Sequence, residues 1–213
     1  ERIDPKMNRE GYLASAIKNP EVKMTFSRAG KEVEVKLHTV TYAQVKNWLY
    51  NEWEDTNRAL VDRLGDGQIA YTHMRDMGSE ELNEFLKDMH TRTLGKKAII
   101  IDLRYNNGGN VHNEVLEFLS QKAHYQWAYR DFPSNSHPNV TPGDIPIIAL
   151  VNERSLSDAE VTSNGIQTLG LATIVGTETY RWIIFTSGTT LLDGSYLRLP
   201  AWGCYSLDGK DLE

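Results

Sequence analysis

Two segments of this chain combine side chains that could do chemistry with a backbone able to assist them. One is Asn152-Glu153-Arg154-Ser155-Leu156-Ser157-Asp158-Ala159-Glu160, which directly follows the apolar run Pro146–Val151. Its serines therefore fall at a strand-to-helix junction, where ligand sites of open α/β sheets form. A hydroxyl there can attack a carbonyl. The N–H of the next residue, Asp158, opens a helix whose dipole favours negative charge. A plainer role is also open, since Ser155 or Ser157 can simply cap that helix. The other segment is Asp102-Leu103-Arg104-Tyr105-Asn106-Asn107-Gly108-Gly109-Asn110. Paired glycines let backbone N–H groups come close to a ligand oxygen, although a Gly-Gly pair can also be only a turn. Acyl transfer needs a nucleophile and two converging N–H donors. Two neighbouring strand ends carrying these loops would supply both.

The elements that must position the loops are legible in the pattern. Ala98–Leu103 is a continuous apolar run, typical of a strand covered on both faces. Gln68–Met74, Pro146–Val151 and Ala172–Val175 read as further strands. Helices are expected over Val111–Leu119 and Asp158–Leu169. Another, capped by Ser79, places Leu82, Phe85, Leu86 and Met89 inward. This β-α-β-α-β-α-β order implies right-handed crossovers and a mainly parallel sheet, an α/β fold. Upstream, Val22–Phe26 and Val33–Leu37 alternate around Arg28-Ala29-Gly30-Lys31 and read as a hairpin. Such a hairpin is only marginally stable alone, so the expectation is the last part of a small β domain. Thr41 can cap a long helix through Val45, Leu49 and Trp53 toward Leu64, ended by Gly65-Asp66-Gly67. From Thr189 onward the chain turns to short β segments with Gly and Pro.

Composition narrows the functional classes. The 213 residues are 40% hydrophobic and 24% charged, an ordinary globular balance. A net charge of -6, with charges scattered rather than blocked, argues against a nucleic-acid binder. No apolar run reaches the ~18 residues of a membrane span, and Glu1–Pro20 lacks the apolar core of a signal peptide. The sole cysteine, Cys204, excludes an intramolecular disulfide and reads as a buried spectator. No phosphate-binding loop, dinucleotide fingerprint or metal-ligand spacing is present, so no cofactor and no metal are expected.

The two loops, taken in order, resemble the catalytic core of the S41 serine peptidases. The resemblance runs from Asp102-Leu103-Arg104 through Gly108-Gly109-Asn110, and from Val151-Asn152-Glu153 through Ser157-Asp158. Gly170-Leu171 leading into Ile174-Val175-Gly176-Thr177 agrees too, as does Trp53-Glu54 with Asn57-Arg58 before Tyr71. The likeness covers roughly Tyr42 to Glu213, and the hairpin before it looks like the end of a PDZ domain. It implies a ClpP/crotonase-like ββα core, with residues 1–40 closing a PDZ-like domain and residues 41–213 forming a peptidase domain that ends short of its natural C-terminus. Two branches of the family differ in the partner of the serine. In the C-terminal processing proteases it is a lysine about two dozen residues further on. Here no Lys occurs between Lys122 and Lys210, Arg181-Trp182 occupies that region, and an arginine is always protonated. The tricorn branch resembles this chain better, because its nucleophile is followed by Asp, as Ser157 is by Asp158.

That resemblance implies a hydrolase acting on peptides or unfolded polypeptides, with Ser157 as nucleophile. Gly108 or Gly109 and Asp158 would form the oxyanion hole, and Glu213 would position a second serine or a substrate amine. The Ser-His pair of the tricorn tetrad belongs to a segment ahead of the PDZ domain, so the base is expected outside this chain. His73 and His112 lie near the right strand and loop without matching the family's base. The family further implies a homo-oligomer, joined to upstream domains of the same protein, in either the cytoplasm or the periplasm and cell envelope. Arg181-Trp182 stands where tricorn-like sequences often carry a Gly pair, which would close part of a substrate cleft. A non-catalytic binding relative and a crotonase-type acyl-CoA enzyme are the rival readings. The second lacks a recognisable CoA loop.

Overall fold

A computed structural model describes residues 3–4, 6, 8–14, 19–138 and 145–213. These residues fall into two compact units, Glu1–Asp55 and Thr56–Glu213. The division lies inside a helix, downstream of the residue-40 boundary expected from the sequence.

The first unit opens with a short helix α1 (Arg9–Ala14) that has no clear apolar signature. An antiparallel pair follows, β1 (Glu21–Arg28) and β2 (Lys31–His38), in register from Glu21↔His38 to Arg28↔Lys31. Its two-residue turn has Ala29 and Gly30 at φ 51° and 77°. Positive φ at both positions matches the right-handed twist of the flanking strands. Helix α2 (Tyr42–Leu64) begins with a reciprocal cap. The Gln44 N–H donates to Thr41 Oγ1 at 3.2 Å, and the Thr41 N–H donates to Gln44 Oε1 at 2.8 Å. The expected cap by Thr41 is therefore present.

In the second unit, strand β3 (Ile69–His73) leads to helix α3 (Ser79–Thr91) and strand β4 (Ala98–Asp102). Gly78, not Ser79, caps α3, and Ser79 is its first helical residue. The Gly78 N–H is held by Asp76 Oδ1 at 2.8 Å, so the turn before the helix is fixed by an aspartate two residues upstream. Helix α4 (His112–Ser120) and a small antiparallel pair, β5 (Tyr125–Trp127) with β6 (Asn135–His137), come before β7 (Ile147–Val151). Helix α5 (Asp158–Thr168) joins β7 to β8 (Thr173–Gly176). The unit closes with the hairpin β9 (Phe185–Thr190) and β10 (Tyr196–Trp202). The main sheet has the order β3-β4-β7-β8, and every neighbouring pair is parallel.

One face of this sheet forms the core. Ile99, Ile101 and Leu103 of the β4 run meet Ile147, Ala149 and Val151 of β7, and Phe85, Met89, Val115, Phe118 and Ile166 cover them. The other face is less protected: Ile148 is 38% exposed, and Ile100 and Leu150 are half-buried. The expectation of strands covered on both faces is thus corrected for the described residues. Alternate positions of the apolar run meet different environments, because α3, α4 and α5 pack on the first set. Among the described residues no helix is long and apolar enough to cross a membrane.

Candidate active site

Parallel strands end at one edge, and the loops after β3, β4 and β7 converge there. The Met74 N–H donates to Asp102 O at 3.1 Å, and the Leu103 N–H donates to Leu150 O at 2.8 Å, carrying the ladder past the strands. Ser155, fully buried, ties the β7 loop back onto β4. Its hydroxyl donates to Leu103 O at 2.7 Å and accepts the Asn152 N–H at 3.0 Å. The Asn152 carboxamide oxygen in turn accepts the N–H groups of Tyr105 and Arg154, both at 3.1 Å. Of the two serines weighed from the sequence, Ser155 is therefore the structural latch.

Ser157 occupies a different position. It is half-buried, caps α5, and has φ 56° and ψ −118°. Non-glycine residues avoid that region, so the turn is strained and its surroundings hold it there. Part of the restraint is Glu160, only 4% exposed, whose Oε1 accepts the Ser157 N–H at 2.8 Å. Both carboxylate oxygens also reach the segment after β8. Thr179 Oγ1, the Arg181 N–H and the Trp182 N–H donate to them at 2.7, 2.8 and 2.9 Å. Four donors satisfy one buried carboxylate, and a single side chain ties the Ser157 turn to the 179–182 segment.

The Gly-rich loop lies directly against this turn. A Cβ on Gly108, whose φ is +76°, would sit 2.7 Å from Ser157 Cβ and 3.0 Å from Leu156 O. One on Gly109 would meet Met77 O at 2.1 Å. Glycine is thus required at both positions by close approach, which the sequence could not distinguish from ordinary turn chemistry. The loop is braced by the fully buried Asn106, which donates from Nδ2 to Met74 O and accepts the Gly108 N–H on Oδ1, each at 2.8 Å. The Gly108 amide is therefore committed. Among the described residues, the N–H groups of Gly109 and Asp158 donate no hydrogen bond.

Asp158 has a second task. Its Oδ2 accepts the Val111 and His112 N–H groups at 2.8 and 3.1 Å, and its Oδ1 lies 2.5 Å from His112 Nδ1. One carboxylate thus caps the N-terminus of α4 and pins the Gly loop to the Ser turn. His112 is the first residue of α4, as its place in the sequence suggested, and it makes no hydrogen bond to Ser157. His73 is buried in β3 with Nδ1 2.8 Å from Asp102 O. Beneath the loop, Asp102 accepts the Tyr71 hydroxyl at 2.7 Å and pairs with Arg104, holding that guanidinium above its ordinary pKa.

Beside Ser157 opens a cleft of about 410 Å³. Asn107, Leu156 and Ser157 form one side of it, and Trp182 and Ile184 an apolar wall. Thr186, Arg198 and Pro200 line it from the β9–β10 hairpin. Trp182 does stand in the cleft, whereas Arg181 pairs with Glu178 outside it. Glu213, exposed at the last position with its N–H on Asp211 Oδ1, is not among the lining residues. Burial, with Asp211 adding to it, raises the Cys204 thiol above its usual pKa, which disfavours the thiolate a nucleophile would need. The sequence reading missed Glu160, Asn106 and Arg198. Only the first had a local signal, the Ser-x-x-Glu spacing of a capping box.

Fold and loops together define an α/β class in which a Ser-headed helix and a Gly-rich turn meet at one end of a parallel sheet. Within that class the chain belongs to peptidase family S41, whose model matches residues 67–213. It is 31% identical to the tricorn protease of Thermoplasma volcanium over 72% of this chain and 15% of that protein. It is 26% identical to tricorn protease homolog 1 of Streptomyces coelicolor over 94% of the chain and 19% of the relative. The chain thus spans under a fifth of these relatives. A crystal structure of the tricorn protease superposes with a TM-score of 0.75 at 25% identity, covering 94% of this chain and 20% of that one. The photosystem II D1 C-terminal processing protease shares the fold, with a TM-score of 0.55 at 19% identity over 68% of this chain and 39% of the other.

Proposed function

We propose that this chain carries the nucleophile and oxyanion hole of a serine peptidase acting on peptides. The observation that carries the reading is the placement of Ser157. It sits on a strained, half-exposed turn beside a cleft and against Gly108, and the next residue along each loop, Gly109 and Asp158, has an uncommitted N–H. In this reading Ser157 Oγ attacks the scissile carbonyl carbon and its proton passes to a general base. The Gly109 and Asp158 N–H groups hold the resulting oxyanion. Collapse expels the amine, which takes the proton from the base, and water then hydrolyses the ester. Gly108, first considered alongside Gly109, shapes the hole by its lack of a side chain while its amide serves Asn106. Among the described residues no histidine is hydrogen-bonded to Ser157, and the reading assigns the base to the full-length protein beyond them. Glu213 keeps the positioning role that the family resemblance gives it.

The test is labelling of the full-length protein with a fluorophosphonate probe. Expected is one adduct, mapped to Ser157 by mass spectrometry and lost in Ser157→Ala. A folded protein that takes no label, or takes it elsewhere, would remove the peptidase reading. A binding relative would then be left in its place.

A further inference from the structure

We propose that the cleft beside Ser157 contains a carboxylate-binding subsite built on Arg198, so that the preferred peptides carry an anionic group. This rests on the reading of that cleft as the substrate cleft. In the β9–β10 register Thr186 faces Pro200, and Arg198 lies two residues along on the same face of the hairpin. That face is the one that lines the cleft. The Arg198 Nε–H donates to Thr186 Oγ1 at 2.6 Å, which fixes the side chain and leaves the terminal N–H groups of the guanidinium available. Among the described residues Arg198 makes no ion pair, and none of the residues lining the cleft is acidic. A guanidinium held by a neutral hydroxyl in a cleft without a counter-charge is incomplete as a structural ion pair. Its fork geometry matches a carboxylate end-on.

The neighbouring wall strengthens the assignment. Trp182 and Ile184 line the same cleft, and Glu160 holds the backbone at Trp182. A peptide passing Ser157 would lay apolar groups against that wall, and it would meet a positive charge on the hairpin. The carboxylate can come from an aspartate or glutamate side chain of the peptide or from its C-terminus.

Fluorescence anisotropy with the full-length Ser157→Ala protein separates these sources and needs no turnover. The probes are fluorescein-labelled Ala/Leu hexapeptides bearing one internal Glu or Gln, each made as the free acid and as the C-terminal amide. Anionic peptides should bind roughly tenfold tighter than their neutral counterparts, the scale of one charge-assisted hydrogen bond. The advantage should shrink with added salt. It should vanish in Arg198→Gln and survive in part in Arg198→Lys. Preference for internal Glu assigns a side-chain subsite, and sensitivity to amidation assigns the C-terminus. Equal binding of all four peptides, a preference that persists in Arg198→Gln, or no binding of any peptide overturns the subsite. Fluorophosphonate labelling stands apart from these outcomes, so failure here leaves the status of Ser157 decided separately.

Discussion

At the scale of single residues, the site is governed by what cannot be added. Gly108 combines a positive φ with a neighbour, Ser157, that leaves no room for a methyl group. In Gly108→Ala the strained backbone costs about 1–3 kcal/mol. The new Cβ also pushes on Leu156 O and Ser157 Cβ, so the cost falls on the geometry of the Ser157 turn as well as on stability. The expected result is a folded protein with a lowered denaturation midpoint and fluorophosphonate labelling slowed by at least about tenfold, a displacement-of-geometry effect. Labelling at the wild-type rate would show that Gly108 does not shape the turn. Gly109→Ala bears on another partner, since its Cβ would collide with Met77 O, and its effect belongs to the fold.

At the scale of elements, the first turn of α5 does more than begin a helix. Its third residue, Glu160, gathers the Ser157 amide and three donors from the segment between β8 and β9. Glu160→Gln preserves shape but replaces one acceptor oxygen by an NH2 group that faces donors. Loss of charge-assisted bonds inside the protein should then cost about 2–3 kcal/mol. Amide exchange should accelerate at Arg181, which donates to Oε2, or at Trp182, which donates to Oε1, whichever faces the new NH2 group, while exchange in β4 stays slow. Unchanged protection at Arg181 and Trp182 would refute the clamp. This is also where sequence reading reached its limit. The order of strands and helices in the sheet was legible because each element carries its own period, cap or apolar run. Thr41 announces a cap, and Ile99 to Ile101 announce a strand. Ser157 and the Gly108-Gly109 loop were legible together through the family pattern. The roles of Asn106, Ser155 and Glu160 were not, since each acts on backbone groups that only the fold brings near: Met74, Leu103 and Trp182. Likewise β5 and β6 are three residues each with every residue exposed, so they carry no periodic signal.

At the scale of the molecule, the sheet is a shelf with unequal faces, and the site stands at its edge. The face under α3, α4 and α5 contains Ile101, fully buried in β4, which lies between β3 and β7. The opposite face contains Ile148 in β7, 38% exposed. The two residues have the same side chain and lie on adjacent strands, so a comparison of them isolates the environment. Truncating Ile101 to Ala removes packed methylene groups and leaves a cavity among Phe85, Met89 and Val115, at about 2–5 kcal/mol. Truncating Ile148 removes contacts from one side only, and surface-like substitutions of that kind stay near ~0.5 kcal/mol. Chemical denaturation of the full-length protein should therefore show a large drop in midpoint for Ile101→Ala and a small one for Ile148→Ala. The consequence reaches the site, because Ile101 lies two residues before Leu103, whose carbonyl anchors Ser155. Below the main transition, Ile101→Ala should also label more slowly at Ser157, since the β4 end that holds the Ser loop rests on the disturbed core. Equal losses in the two variants would mean that the second face is as well packed as the first in the full-length protein, and the single-core account of the sheet would have to be given up.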